Sequence, residues 1–218
     1  MVISILGYEL GRYLKRKLRL AIFNPLLIAV VFVALVSLVF QVDYDAYSQS
    51  AQPLSYLLTP ATICLAIPLY QQFELLKKNW RAVLLGTLAG AISSMLSIYL
   101  LSLSFGLTHA QYVTLLPKSI TTAMGIGVSE ELGGIPTITV AAIIMTGIFG
   151  NMAAEGVCRL LGICHPIAKG LAIGSSSHAI GTTKAMELGE IEGAMSSLAI
   201  VVSGVFTVIG ASFFAALR

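Results

Sequence analysis

The chain has 218 residues, 57% of them hydrophobic and 11% charged, and its mean hydropathy is +0.91. Soluble domains average about 25% charged residues, so this composition excludes a soluble globular fold and points to an all-α, multi-pass protein of the lipid bilayer. A net charge of +3 is too small to suggest nucleic acid. Cys64, Cys158 and Cys164 form no CxxC pair and lie in or beside apolar runs, so neither disulfides nor metal ligands are expected.

In chain order, residues 2–14 are apolar but short of the roughly 20 residues that a full span needs, and Glu9 and Arg12 interrupt them. An interfacial helix, a tilted span and a partial first helix all remain open. No cationic region precedes this run, so a cleaved signal peptide is not expected. Lys15, Arg16, Lys17 and Arg19 form the strongest basic cluster and predict a cytoplasmic flank. Residues 20–40 are long enough to span, with Pro25 tolerated in a first turn. Residues 43–52 then read as an outside loop. The apolar stretch 54–70 holds Pro60 and Pro68, each of which removes a backbone donor, so a kinked or interrupted helix is predicted. Lys77, Lys78 and Arg81 mark a return to the cytoplasm.

Three long apolar runs follow, at 81–105, 135–161 and 191–217, and two polar islands separate them. The first island, 117–134, reads PKSITTAMGIGVSEELGG; the second, 174–190, reads GSSSHAIGTTKAMELGE. Lipid satisfies neither backbone groups nor charges, so such islands must face protein or a water-filled cavity. A faint repeat with an offset of 57 residues relates Pro60 to Pro117, Gly90 to Gly147, and Gly147 to Gly204. It divides one membrane domain, 1–218, into units starting near 58, 115 and 172. If the interrupted segment of each unit is re-entrant, successive units alternate in orientation; if it spans, they run parallel. Roughly seven spans are expected, counting the interrupted segments.

The islands hold the candidate site. Ser119, Thr121 and Thr122 supply hydroxyls in the first, and Lys118 a cation at its start. In the second, Ser175, Ser176 and Ser177 are predicted to cap a helix over 179–188, with His178 near its start and Thr182 and Lys184 further along. A helix that begins in mid-membrane points free N–H groups into the cavity, a ready site for a carboxylate. The competing view is structural: membrane serines and threonines mostly bond their own or a neighbouring helix. An enzyme is not expected. The sequence holds no HExxH, GxSxG or GxxxxGK, and the Ser175–His178 adjacency is poor evidence for a nucleophile, because near neighbours on a helix diverge.

Several of these stretches carry a resemblance. LTPAT at 58–62, AIPLY at 66–70, PKSITT at 117–122, SEELGGIP at 129–136 and SHAIGT at 177–182 resemble the antiholin-like LrgB/CidB membrane proteins over nearly the whole chain. Ala123 stands where that family usually has proline, and Glu155 where it has small residues or proline. The resemblance implies a multi-pass protein of the bacterial inner membrane, needing no cofactor, related in fold to cation/proton-antiporter-like transporters with broken helices. It implies a holin-like LrgA partner and control of murein hydrolase activity and autolysis. It also implies transport of a small carboxylate, as in relatives that carry pyruvate or glycolate and glycerate. A homo-oligomer is a further candidate. The expectation is a small-monocarboxylate transporter; the alternative is a non-transporting regulator that acts with the LrgA partner.

Overall fold

The computed structural model describes residues 1–18, 23–57, 60, 63, 64 and 66–218, and every regular element among them is helical. The chain divides into two compact units, 1–65 and 66–218.

In the first unit, α1 (Val2–Leu18) packs on α2 (Pro25–Val39). Asn24 caps α2 by accepting the Leu26 N–H at 2.8 Å, and Pro25 fills the first turn, where its missing donor leaves nothing unpaired. A methyl group at Gly7 would lie 3.2 Å from Ala29 Cα, and one at Gly11 would lie 2.7 Å from Pro25 Cα. The two helices are therefore antiparallel, with their backbones in close approach. The expected outside loop at 43–52 is instead the start of α3 (Tyr44–Tyr56). Asp43 caps it, its Oδ2 accepting the N–H groups of Asp45 at 3.0 Å and Ala46 at 3.3 Å. The interruption expected around Pro60 falls largely outside the described residues.

The second unit comprises α4 (Ala66–Gln71), α5 (Phe73–Lys78), α6 (Trp80–Ser104), α7 (His109–Leu115), α8 (Thr122–Glu131), α9 (Pro136–Leu160), α10 (Pro166–Leu188) and α11 (Glu190–Ala215). Among the described residues, α6, α9 and α11 are the helices long and apolar enough to cross a membrane. With 25 or 26 residues each, they reach about 37 Å. The polar islands, which the tally of roughly seven includes as interrupted segments, form half-length helices that turn back.

The clearest case is α10. It is helical on both sides of His178, whose φ of 41° and ψ of −143° break the helix. Ile173 and Ala185 share one apolar cluster with Ala154, and Lys169 and Leu188 line one pocket. On a straight helix those pairs would stand about 18 Å and 28 Å apart. They meet because 166–177 and 179–188 are the arms of a helical hairpin with His178 at its tip. The first island does the same. The backbone turns at 116–120 between α7 and α8, and Thr139 Oγ1 donates to Thr114 O at the end of α7 at 2.9 Å and bonds Ser129 Oγ near the end of α8 at 2.7 Å.

The hairpins enter from opposite ends of the unit. Asn79 at the start of α6 and His165 before α10 line one pocket, which places the mouth of the α10 hairpin at that end. His109 at the start of α7 bonds the Arg218 carbonyl at 2.6 Å, and Arg218 Nη1 donates to Ser102 Oγ at 2.9 Å, so the α7–α8 hairpin opens at the other. α6 and α11 are parallel, since Val83 packs with Met195 and Ala199 while Met95 and Ile98 pack with Ala211 and Ala215. α9 runs against them. Hairpin plus span thus occurs twice in opposite directions: α7 and α10 begin 57 residues apart, at His109 and Pro166, and Thr121 precedes His178 by the same 57. For the units starting near 115 and 172, the re-entrant geometry makes the orientations alternate.

Candidate functional site: two opposed hairpin tips

Each span presents a glycine to the hairpin of the other half. A methyl group at Gly147 of α9 would lie 2.7 Å from the His178 ring, and one at Gly204 of α11 would lie 2.6 Å from Met124 Cε, beside the other tip. At Gly147 only hydrogen fits, since a methyl group would also lie 2.9 Å from Ile180 Cβ, so that tip sits directly against the span; at Gly204 the neighbour is the flexible end of a methionine. The tips also share a face of α6. A methyl group at Gly90 would lie 2.8 Å from Ser175 Oγ. One turn further along, Ser94 Oγ bonds Ser119 Oγ and accepts from Lys118 Nζ at 3.4 Å. Gly90 and Ser94 lie near the middle of α6, so both tips are deep in the span.

At the second tip His178 is 4% exposed, and its Nε2 bonds the Ile143 carbonyl at 2.9 Å. A carbonyl can only accept, so the proton sits on Nε2. Ile143 also bears on the first tip's helix, since a methyl group at Gly125 of α8 would collide with its Cδ1. Ser175, Ser176 and Ser177 lie together in the last turn before His178, but they do not cap the arm that follows. Ser175 Oγ donates to Leu171 O and Ser176 Oγ to Ala172 O, each at 2.7 Å, while Ser177 is within 3.1 Å of Ser176 Oγ. A hydroxyl in an apolar surround takes the nearest free acceptor, the carbonyl one turn back. His178 itself holds the non-helical position before the second arm. Thr182 is fully buried, donating to His178 O at 2.9 Å and bonding Ser196 Oγ of α11 at 2.7 Å.

At the first tip, Ser119 is buried while Thr121 and Thr122 are half-buried. Thr121 holds the N-cap position of α8 without a side-chain bond to it. Gly125 and Gly127 do not break this segment and lie inside α8. The break falls at 116–120, where Pro117 cannot continue α7.

Lys184 is not drawn to the tips. Its ammonium lies 3.4 Å from Glu155 and 3.2 Å from Glu187, and Glu155 also meets Arg159 at 3.2 Å. Glu155 thereby finds its role, tying the second arm of the α10 hairpin to α9. A cavity of about 260 Å³ beside this network is lined by Glu155, Arg159, Lys169 and Leu188. A smaller one of about 120 Å³, between α9 and the first arm, has Gly150, Ser176 and Ser177 in its wall.

Sequence reasoning passed over Asn151, Ser94 and Ser196. Asn151 Nδ2 donates to Ile180 O at 2.8 Å and to Thr183 Oγ1 at 3.0 Å, binding α9 to the second arm. An amide in the middle of an apolar helix was the available signal. Ser94 and Ser196 sit among other serines in apolar runs, with nothing in the sequence to set them apart.

Two opposed half-length hairpins whose broken tips lie against the same full spans define a polytopic membrane protein of the broken-helix type. The chain belongs to the LrgB-like family, which it matches over residues 4–217. It is 37% identical over 210 residues to a Bacillus mycoides protein named antiholin-like protein LrgB, covering 96% of this chain and 91% of the relative. Proteins of the same name from Bacillus cereus and Bacillus anthracis are 36% identical over 210 residues, with the same 96% and 91% coverage. No solved structure matches the chain significantly.

Proposed function

We propose that this protein carries a small monocarboxylate, of the pyruvate or glycolate kind, across the bacterial inner membrane, and that its control of murein hydrolase activity and autolysis is coupled to that transport. The observation that carries the reading is the pair of opposed hairpins. Their tips place turns, hydroxyls and interrupted backbone in the middle of a bilayer, where such groups are tolerated only against protein or water. A regulator needing only to assemble with a partner could be built from plain spans. Opposed halves also suit alternating access, since rocking one half against the other would open the shared centre to each side in turn. Among the candidate residues, Ser119, Thr121, Thr122, Ser175, Ser176, Ser177, His178 and Thr182 cluster at the tips and would line the path.

The second reading rests on the name of the relatives: an antiholin-like regulator that acts with a holin-like LrgA partner and moves no substrate. Purified chain in liposomes separates the two. Uptake of labelled pyruvate, glycolate or lactate above that of empty vesicles is expected. Flux indistinguishable from empty vesicles across the panel, from protein shown to be folded by its melting curve, would reject transport.

A further inference from the structure

The cations of the second unit are unevenly placed. Lys77, Lys78, Arg81, Arg159 and Lys169 gather at the end where α6 begins and α9 finishes. Arg218 lies at the opposite end, held by Ser102 and the Leu107 carbonyl. Lys184 is balanced by Glu155 and Glu187. That leaves Lys118, at the tip of the α7–α8 hairpin and mostly enclosed. Its ammonium touches Ser94 Oγ at 3.4 Å, and none of the ion pairs among the described residues includes it.

An ammonium in a membrane interior without a carboxylate is expensive, and such residues persist where function requires them. The Ser175 and Ser176 hydroxyls cannot replace it. Ser175 and Ser176 already donate their protons to helix carbonyls, so they offer a ligand lone pairs, which repel a carboxylate. Lys118 is the strong donor at the centre, with Ser94 and Ser119 bonded to each other beside it.

Resting on the transport reading, we infer that Lys118, and not Lys184, is the residue that selects for negative charge: it is the counter-ion of the carboxylate at the hairpin tips. The anion completes the pair that the protein leaves open, and a neutral analogue of the same shape would leave the ammonium uncompensated. Selection of this kind discriminates strongly, because rejection comes from the unpaired buried group and not from fit.

The test is a melting-curve titration of the purified full chain in detergent, with sodium pyruvate, with methyl pyruvate and with sodium chloride at matched ionic strength. Pyruvate is expected to raise Tm of the wild type and of Lys184→Met at the same half-saturating concentration, and the ester and chloride to do nothing. Lys118→Arg should keep the shift. Lys118→Met should lose it or need about ten- to hundredfold more pyruvate, the range for a charged hydrogen bond. An unshifted half-saturation in Lys118→Met, a loss in Lys184→Met, or no response of the wild type to pyruvate overturns the inference. Should Lys118→Met not fold, the wild type decides by itself: equal shifts with pyruvate and its ester overturn the assignment. A pyruvate shift that depends on Lys118 in protein showing no liposome flux would leave the anion site standing and remove the transport reading.

Discussion

Gly174, on the first arm of the α10 hairpin, is where that arm meets α11. A methyl group there would lie 2.8 Å from both Ser196 Cα and Ala199 Cβ, and would collide with Ser196 O. Ordinary contact begins near 3.4 Å, so clearing the 2.8 Å contacts takes a retreat of 0.6 Å by α11, and the closer Ser196 O requires more. The obstacle is backbone, which no rotamer change can clear. Overpacking of this kind costs about 1–3 kcal/mol, while glycine to alanine in a helix by itself gains about 1 kcal/mol. With all three nearest atoms of α11 closer than 3.0 Å, the cost falls in the upper half of that range, about 2–3 kcal/mol, so Gly174→Ala should end destabilised by about 1–2 kcal/mol. Gly156 on α9 is the comparison, because a methyl group there meets nothing within 4 Å. Gly156→Ala should gain up to about 1 kcal/mol from propensity. The two variants should melt roughly 4–12 °C apart, taking 2–4 °C per kcal/mol for a chain of this size. Melting curves of both proteins in one detergent supply the measurement. A Gly174→Ala protein that melts with or above Gly156→Ala would refute the close packing of hairpin arm on span.

Other consequences follow from the same geometry. In a background lacking native cysteines, Ile173→Cys with Ala185→Cys should form a disulfide under mild oxidation; a straight helix would hold these positions about 18 Å apart and give none. At His178, where φ is 41°, glycine should be more stable than alanine by about 1 kcal/mol, reversing the usual helical order. Melting of the two variants reads this directly, and the ordinary order would argue against the turn. Positive charge marks the cytoplasmic side of a membrane protein, so native Cys164, beside the basic end, should react with a membrane-impermeant maleimide only in inverted vesicles. Ser104→Cys in a cysteine-free chain should react only from outside, and labelling of both from the same side would contradict the orientation.

Much of this was legible in the residues. Spans at 81–105, 135–161 and 191–217 follow from runs too apolar for water, and α6, α9 and α11 fall within one or two residues of them. The islands were visible because serine, lysine and glycine in such a setting need a reason to be there. The tertiary structure decided what the islands do. The serines and His178 marked a break within 166–188 but not its direction, because the second arm keeps the same hydrogen bonds whether it continues across or turns back. What turns the chain at His178 is long-range: the Ile143 carbonyl takes its ring, Gly147 clears space for it, and α11 packs against both arms through Gly170, Gly174 and Thr182. The charge assignment shifted for the same reason. Spacing along the chain placed Lys184 beside the serines, but Glu155, 29 residues earlier, reaches it from α9, while Lys118 is brought to the centre with no carboxylate partner among the described residues. Local pattern shows which groups are costly in a bilayer; only the fold decides which of them find a partner.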